Sequence, residues 1–232
     1  MDAELVRAWV EGWVVSRGAA PPVAEPWGLT VDVGLAGHVT RHVLTDADEG
    51  LVGKLTETAT GPGTWLKVFL PRRTVAPWVA PGWRFGDDGF LMSARLHPAA
   101  AEVPAPYRTR AWTRDGVTRV LVLTRDGAFA ARGQVAVPGP GRTAVVDQVE
   151  TSAAHRRRGL GSLVMRTLGN AAVAGGSSGA VLAATAEGRA LYASLGWHTC
   201  GPLTSLVREV PPGTPGARMG NPSGPAHEVV RP

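Results

Sequence analysis

Cysteine is almost missing from this chain of 232 residues: Cys200 stands alone, so no internal disulfide can form and nothing suggests an oxidising compartment. No apolar run approaches the roughly 20 residues that a membrane-spanning helix needs. The opening stretch "MDAELVRAWVEGWVVSRG" carries Asp2, Glu4 and Glu11 where a signal peptide would place basic residues ahead of an unbroken apolar segment. These absences lead to the expectation of a cytoplasmic protein with no membrane partner. No long basic run accompanies the formal net charge of +5, so the positive balance suits an anionic ligand at least as well as a nucleic acid. What is present is ordinary for a globular chain: 44% hydrophobic and 19% charged residues, enough for one large domain or two small ones.

The spacing of Leu5, Val6, Trp9, Val10 and Trp13 predicts an amphipathic helix over residues 1–17, ending before Gly18. "AAPPVAEP" reads as a linker, "LTVDVGL" and "TWLKVFLP" as strands, and "LVGKLTETA" between them as a helix. A proline-rich break, "HPAAAEVPAP", closes an N-terminal unit at residue 106. Beyond it, Asp115-Gly116 and Asp126-Gly127 punctuate three antiparallel strands, and "TAVVDQVET" supplies a fourth. A helix follows from Gly159, with Leu160, Leu163, Val164, Thr167, Leu168 and Ala171 on one face. "SGAVLAATA" then reads as a buried strand, "EGRALYASLG" as a short helix and "WHTCGPLTSLV" as a last strand. Residues 208–232, rich in proline and glycine and poor in apolar residues, are expected to be a disordered tail.

Residues 64–94 and 179–207 share a strand, short helix, Gly-Trp, strand pattern, with Gly82-Trp83 matching Gly196-Trp197. The echo fits a degenerate duplicate and two unrelated pieces equally well. The stretch "AAHRRRGLGSLVMRTLG" is more informative. A strand entering a helix through glycines presents unpaired N–H groups at the positive end of the helix, a geometry that suits a pyrophosphate. Gly159 and Gly161 remove Cβ atoms that would hold an anion away from the backbone, and Arg156, Arg157 and Arg158 add charge. The pattern lacks the third glycine of a dinucleotide fold and the Gly-Lys-Ser/Thr of a P-loop, which disfavours NAD and ATP.

"V-E-T-S-A-A-H-R-R-R-G-L-G" resembles the acyl-CoA signature of the Gcn5-related N-acetyltransferase (GNAT) superfamily, Gln/Arg-x-x-Gly-x-Gly/Ala, with Arg156, Gly159 and Gly161 at the matching positions. "T-A-E-G-R-A-L-Y-A-S-L-G-W" is similar to the family's Tyr-helix, with Leu191, Tyr192, Gly196 and Trp197 in place. Thr185 stands where the family often has Asn, and Gly188 where it has Ala. The resemblance spans residues 107–207. It implies an α/β GNAT fold, a mixed and mostly antiparallel central sheet flanked by helices, preceded by an N-terminal α/β unit (1–106) open to reading as a degenerate GNAT-like half.

The resemblance further implies acetyl-CoA as cosubstrate, no metal, and direct attack of a small-molecule amine or amino acid on the thioester. Main-chain groups of Val149 and Thr151 would hold the pantetheine, with Thr185 beside it. N–H groups of Gly159, Leu160, Gly161 and Ser162 would hold the pyrophosphate, bordered by Arg156, Arg157 and Arg158. Tyr192 is the family-matched proton donor to the leaving thiolate. Its hydroxyl, with an ordinary pKa near ~10, is neutral at physiological pH. Asp147 and Glu150 are the candidate bases, facing opposite sides of a regular strand unless a bulge redirects them, with a water relay equally open.

Other residues carry weaker signals. Cys200, on a core strand without an evident base, is expected to be a small buried residue. His38 and His42, spaced i, i+4, lack the partners of a zinc site. Six of the eight tryptophans lie in the first hundred residues; most should pack in the core, and a few could line an acceptor pocket whose usual helical wall the second unit lacks. A catalytically silent CoA-binding or protein-interaction module is the alternative to an enzyme. Nucleic acid is a poor partner for "HRRR", and a homodimer is left open.

Overall fold

Two helix-bridged parallel strand pairs organise the structure, a computed structural model that describes residues 1–59, 61–139 and 141–208. Helix α1 (Ala3–Arg17) is followed by β1 (Val23–Glu25), β2 (Gly28–Leu35) and β3 (His38–Leu44), each antiparallel to its neighbour. Helix α2 (Glu49–Thr58) crosses to β4 (Thr64–Val68), parallel to β3. Then come the short α3 (Arg72–Val75), β5 (Trp83–Phe85) and β6 (Gly89–Arg95). Strands β7 (Arg108–Arg114), β8 (Val117–Leu123) and β9 (Phe129–Ala136) are antiparallel and lead into β10 (Ala144–Thr151). Helix α4 (Leu160–Ala174) crosses to β11 (Gly179–Thr185), parallel to β10, and α5 (Ala186–Ser194) leads to β12 (His198–Arg208).

The sheet runs β1-β2-β3-β4-β12-β6-β11-β10-β9-β8-β7, with β5 pairing β12 to one side. The order is nearly symmetric about its centre. Beside β4, in the N-terminal part, lies the C-terminal strand β12; beside β11, in the C-terminal part, lies β6, which comes from before residue 106. The two exchanged strands pair with each other. The matched stretches 64–94 and 179–207 therefore contribute β4, α3 and β6 on one side and β11, α5 and β12 on the other. One sheet runs without interruption across the residue-106 break.

The local reasons are visible in the chain. Asp2 caps α1 by accepting from the N–H groups of Glu4 (2.9 Å) and Leu5 (3.3 Å), and Gly18 ends it in the left-handed conformation. Asp115 and Gly116 both take positive φ, 51° and 75°, the geometry that matches a two-residue hairpin to strand twist. Of the expected apolar face of α4, Leu160, Leu163, Val164 and Leu168 are buried, with Met165 and Ala172 joining them, while Thr167 and Ala171 are half-buried. Within the "AAPPVAEP" linker, Val23–Glu25 add an edge strand. Strand β3 is a finding the sequence reading did not include: "HVTRHVL" places an arginine and two histidines among its apolar residues, which hides the alternation on which strand recognition depends. The proposed tail falls on residues 209–232, outside the described residues, while Arg208 belongs to β12. Among the described residues no helix is long and apolar enough to cross a membrane.

Helices lie on both sheet faces. Val6, Trp9, Val10, Trp13 and Val14 of α1 pack with Val145, Val181, Leu91, Leu203, Val31 and Val43, residues drawn from both halves of the sheet. On the opposite face, Leu160, Leu163, Val164 and Leu168 of α4 pack with Ala144, Val146, Ala180 and Leu182. Helix α1 thus covers β9, β10 and β11 where the C-terminal part has a hairpin rather than helices between β7 and β8. Buried Gln134 on β9 fastens it there, its amide donating to the backbone oxygen and the hydroxyl of Ser16, both at 2.7 Å.

Close approach of α1 to β10 depends on Gly12. A Cβ at this position would lie 2.7 Å from the Val145 Cβ and closer still to its Cγ2. Glycine inside a helix costs about 1 kcal/mol relative to alanine, so its presence here is steric. We expect Gly12→Ala to destabilise the fold by about 1–3 kcal/mol through overpacking, measured by urea unfolding. Gly50→Ala in α2, where the new methyl would meet only Asp48 Oδ1 at 3.6 Å, serves as the control and should be neutral or stabilising.

Candidate active site

Parallel pairing between β10 and β11 is confined to Ala144 with Ala180 and Val145 with Val181. Past that point β11 continues against β6 up to Thr185, whereas β10 turns away. The departure coincides with a bulge between Asp147 and Glu150, where Gln148 adopts a left-handed φ of 54° and donates its N–H to Asp147 Oδ1 at 2.9 Å. Ser152 N–H bonds Ala130 O at 2.9 Å and Glu150 pairs with Arg132. Alternation therefore turns the main-chain groups of Thr151, and of Val149 two residues earlier, away from β9 and into the gap.

The gap opens into a groove of about 1440 Å³. Val149, Glu150, Thr151, Asp147, Arg156, Arg157, Gly159, Leu160, Gly161, Ser162, Thr185 and Tyr192 all line it. Arg158 departs from expectation: it is absent from the groove lining and donates instead to the Tyr107 hydroxyl at 3.1 Å, which also meets His155 Nδ1 at 3.0 Å. Arg156 reaches Glu187 at 3.1 Å across an exposed surface, and Arg157 takes a left-handed φ of 61°.

Helix α4 opens onto this groove without a side-chain cap and without an acidic residue in its first turn. The contrast with its counterparts is chemical. Asp2, Asp48 and Thr185 cap α1, α2 and α5, so their first N–H groups are satisfied by the chain itself. At α4 the N–H groups of Leu160, Gly161 and Ser162 face outward at the positive helix end, ready for an external anion. The glycines act differently from the sequence reading. Gly159 is needed for its left-handed φ of 77°, with no atom within 4 Å of the place a Cβ would take. Gly161 lets the helix approach α5: a Cβ there would meet Leu191 Cδ2 at 2.7 Å.

Thr185 spends its hydroxyl on the Gly188 N–H at 3.0 Å, capping α5. Gly188 in turn makes room for the Tyr192 ring, since a Cβ would stand 3.0 Å from its Cε2. Tyr192 is 8% exposed, packs beside Trp197, and its hydroxyl has no hydrogen-bond partner among the described residues. Burial first, and the charge of Asp147 second, push its pKa up to about 12. The phenol therefore keeps its proton across the whole neutral range.

Both carboxylates on β10 are held by arginines. Asp147 accepts from Arg17 Nε at 2.5 Å and Nη2 at 3.0 Å and from Ser16 Oγ at 3.1 Å, which ties the bulge to the end of α1. Glu150 accepts from Arg132 Nε at 3.0 Å. Cys200 is exposed, not buried as expected, because β12 at that point lies where a register shift interrupts its pairing with β6; its thiol meets Ser93 Oγ at 3.2 Å. His42 bonds Thr30 Oγ1 at 3.0 Å against the Trp27 ring.

The groove continues past the bulge into residues that sequence reasoning did not assemble. Trp9, Trp13 and Trp65 form its walls, with Arg17, His38, Arg41, Lys67 and Ser205 between them. These side chains come from α1, β3, β4 and β12, so no local spacing joins them. The available signals were a lysine inside the apolar "TWLKVFLP" and an arginine inside "HVTRHVL".

The acetyltransferase (GNAT) family model matches residues 90–197. Among solved structures, a GCN5-related N-acetyltransferase from Kribbella flavida superposes with a TM-score of 0.61 at 19% identity, covering 92% of this chain and 96% of the other. A GNAT-family protein from Novosphingobium aromaticivorans gives 0.57 at 20% identity, covering 88% and 97%. A tandem GNAT protein from the clavulanic acid biosynthesis pathway gives 0.53 at 14% identity, covering 88% and 94%. No curated protein matches the sequence.

The raised Tyr192 pKa has a measurable consequence. A tyrosine whose folded pKa exceeds its unfolded value contributes stability that is complete below the unfolded pKa of about 10 and is lost as pH rises through the folded one. Stability should therefore fall between about pH 10 and 12. Ultraviolet titration should show one tyrosine ionising at about 12, and Tyr192→Phe should remove that step.

Proposed function

Because residues 90–197 match the acetyltransferase (GNAT) family model, we propose that the groove binds acetyl-CoA and that the protein transfers its acetyl group to the amine of a small molecule or amino acid. One observation carries this reading: the uncapped start of α4 opens directly into the gap where β10 leaves β11. The N–H groups of Leu160, Gly161 and Ser162 would take the pyrophosphate, with Arg156 and Arg157 at its border. Main-chain groups of Val149 and Thr151 would align the pantetheine and polarise the reacting carbonyl.

Acetyl-CoA, when bound, supplies a thioester carbonyl open to attack by an amine. The chain's part is to align the two reactants and to manage protons. Tyr192 holds a proton at its hydroxyl, available to the departing thiolate, and recovers one through groove water as the attacking nitrogen sheds its own. Asp147 faces the same chamber and its charge acts on both Tyr192 and Arg41, so we assign it the nearer role in proton acceptance. Glu150 is tied to Arg132 on β9 and has a supporting role.

We read residues 1–106 as a GNAT-like half that has lost this site. Helix α2 occupies the place in its half that α4 occupies in the other, yet Asp48 accepts from Leu51 N–H at 2.8 Å and Glu49 follows, so carboxylates stand where a phosphate would bind. One CoA per chain follows, in a reducing cytoplasm where Cys200 stays a thiol.

Calorimetry on the full chain should show one CoA bound per molecule. Gly159→Asp, which sets a carboxylate beside the first donors of α4 and strains the left-handed backbone there, should weaken that binding by at least about 10-fold. Thiol release from acetyl-CoA should require an amine, and Tyr192→Phe should lower kcat by about 10²-fold or more with CoA affinity unchanged. Undiminished turnover would remove the role of Tyr192, and absence of CoA binding would remove the reading as a whole.

A further inference from the structure

The far end of the groove is a chamber with aromatic walls and an excess of positive charge. Arg41 is only 8% exposed, lies over the Trp13 ring at 3.7 Å, and donates its Nε to His38 Nε2 at 3.2 Å. Arg41 lines the groove, and the bond from its Nε to His38 is its one hydrogen bond among the described residues. Lys67 donates one N–H to Ser205 Oγ at 2.7 Å, sits 4.8 Å from the Trp65 ring centroid, and has two further donors without a protein acceptor among the described residues.

Very little negative charge answers these two cations. Asp147, the one carboxylate that acts on Arg41, is already engaged by Arg17. Among the described residues no carboxylate acts on Lys67, while Arg41 and Arg17 both repel it. Asp87 and Asp88 lie on the exposed rim of the groove. Burial first, then repulsion from Arg17, lowers Arg41 to about 9; burial, then repulsion from Arg41 and Arg17, lowers Lys67 well below its ordinary value; and burial with the neighbouring cations holds His38 at about 2, neutral and able to accept from Arg41. Buried cations with so little counter-charge destabilise the empty chamber, and a bound anion relieves that cost.

We propose that the acceptor carries an anionic group, a carboxylate or a phosphate, which Arg41 and Lys67 bind between Trp13 and Trp65 while its amine points back toward β10 and Tyr192. The inference rests on the reading of the groove as an acetyl-transfer site, which it narrows to anionic amines. Arg41 offers two parallel donors to a planar carboxylate or to two phosphate oxygens, and Lys67 adds a point charge. The tryptophan walls exclude water around the pair, which strengthens the contact and leaves room for an apolar linker between anion and amine.

The test uses the full chain with acetyl-CoA and acceptors in matched pairs: amino acids against their carboxamides, and aminoalkyl phosphates against the corresponding amino alcohols. One anionic series should exceed its neutral partners by at least about 100-fold in kcat/KM, because a site built for a charged group rejects the analogue that lacks it. Which series does so identifies the group. Lys67→Met should raise KM for the favoured acceptor at least about 10-fold, with CoA affinity by calorimetry unchanged. Equal turnover of neutral and anionic partners, or an unchanged KM in Lys67→Met, overturns the proposal while leaving the acetyl-transfer reading in place.

A second measurement does not depend on turnover. Sulfate at low millimolar concentration, where its general salting-out effect is negligible and with chloride at equal ionic strength as the control, should raise the thermal unfolding midpoint of Gly159→Asp, whose CoA cradle is blocked, and should not do so in Gly159→Asp with Lys67→Met. A sulfate response that survives Lys67→Met also overturns the proposal. Failure of CoA to bind, with this sulfate response intact, would instead count against acetyl transfer and leave the anion chamber standing.

Discussion

Everything in the groove depends on β10 parting from β11 after two paired residues. A parallel ladder carried on to Thr151 would have used the very main-chain groups that now face open space, and no ligand could have reached them. The separation is built rather than accidental. Asp147 accepts from the Gln148 N–H at the bulge and is itself gripped by Arg17 and Ser16, so the distorted segment is anchored to the last turn of α1. The N-terminal helix thereby shapes a site whose signature residues all lie beyond residue 145. Gly12 allows the approach and Gln134 fastens it.

The two halves show how one scaffold separates by a few atoms at a helix start. Both cross from strand to parallel strand through a helix, and both hand a strand to the other half at the centre of the sheet. At α2 a carboxylate satisfies the first donors; at α4 no side chain among the described residues does. The same backbone geometry is closed in one place and available in the other. The exchange of β6 and β12 has a further effect, since it brings β4 and β3 close enough to add Lys67, Arg41 and His38 to a groove founded on β10 and α4.

Electrostatically the groove has two ends. At one, helix dipole and the exposed arginines Arg156 and Arg157 favour a highly charged ligand in contact with water. At the other, Arg41 and Lys67 sit among indole rings where charge is poorly solvated and a counter-ion matters more. Between them lie Tyr192, whose burial keeps it protonated, and Asp147, the charge felt by both Tyr192 and Arg41. On the proposed reading, anion binding at both ends and a proton-bearing hydroxyl in the middle would order two substrates along the length of the groove.

Much of this was legible in the chain because it is local. Helix α4, the paired Asp-Gly hairpins, the strand before the cradle and the Tyr192 helix each declare themselves within about fifteen residues, through periodicity, turn chemistry and spacing. The glycine at 159 could be recognised as special, though its reason is a left-handed backbone and that of Gly161 is contact with Leu191, neither readable from spacing. Strand β3 was hidden by its histidines and arginine, and two of those side chains, His38 and Arg41, proved to face the chamber, while His42 packs against Trp27. What tertiary structure alone decided was non-local. Arg158 turned to Tyr107 and away from the groove, Cys200 came to the surface at a register shift, and α1, β3, β4 and β12 met around one cavity. Neighbours in sequence share a helix face or strand face by covalent geometry, whereas residues a hundred positions apart meet only through sheet order, and no local pattern encodes that order.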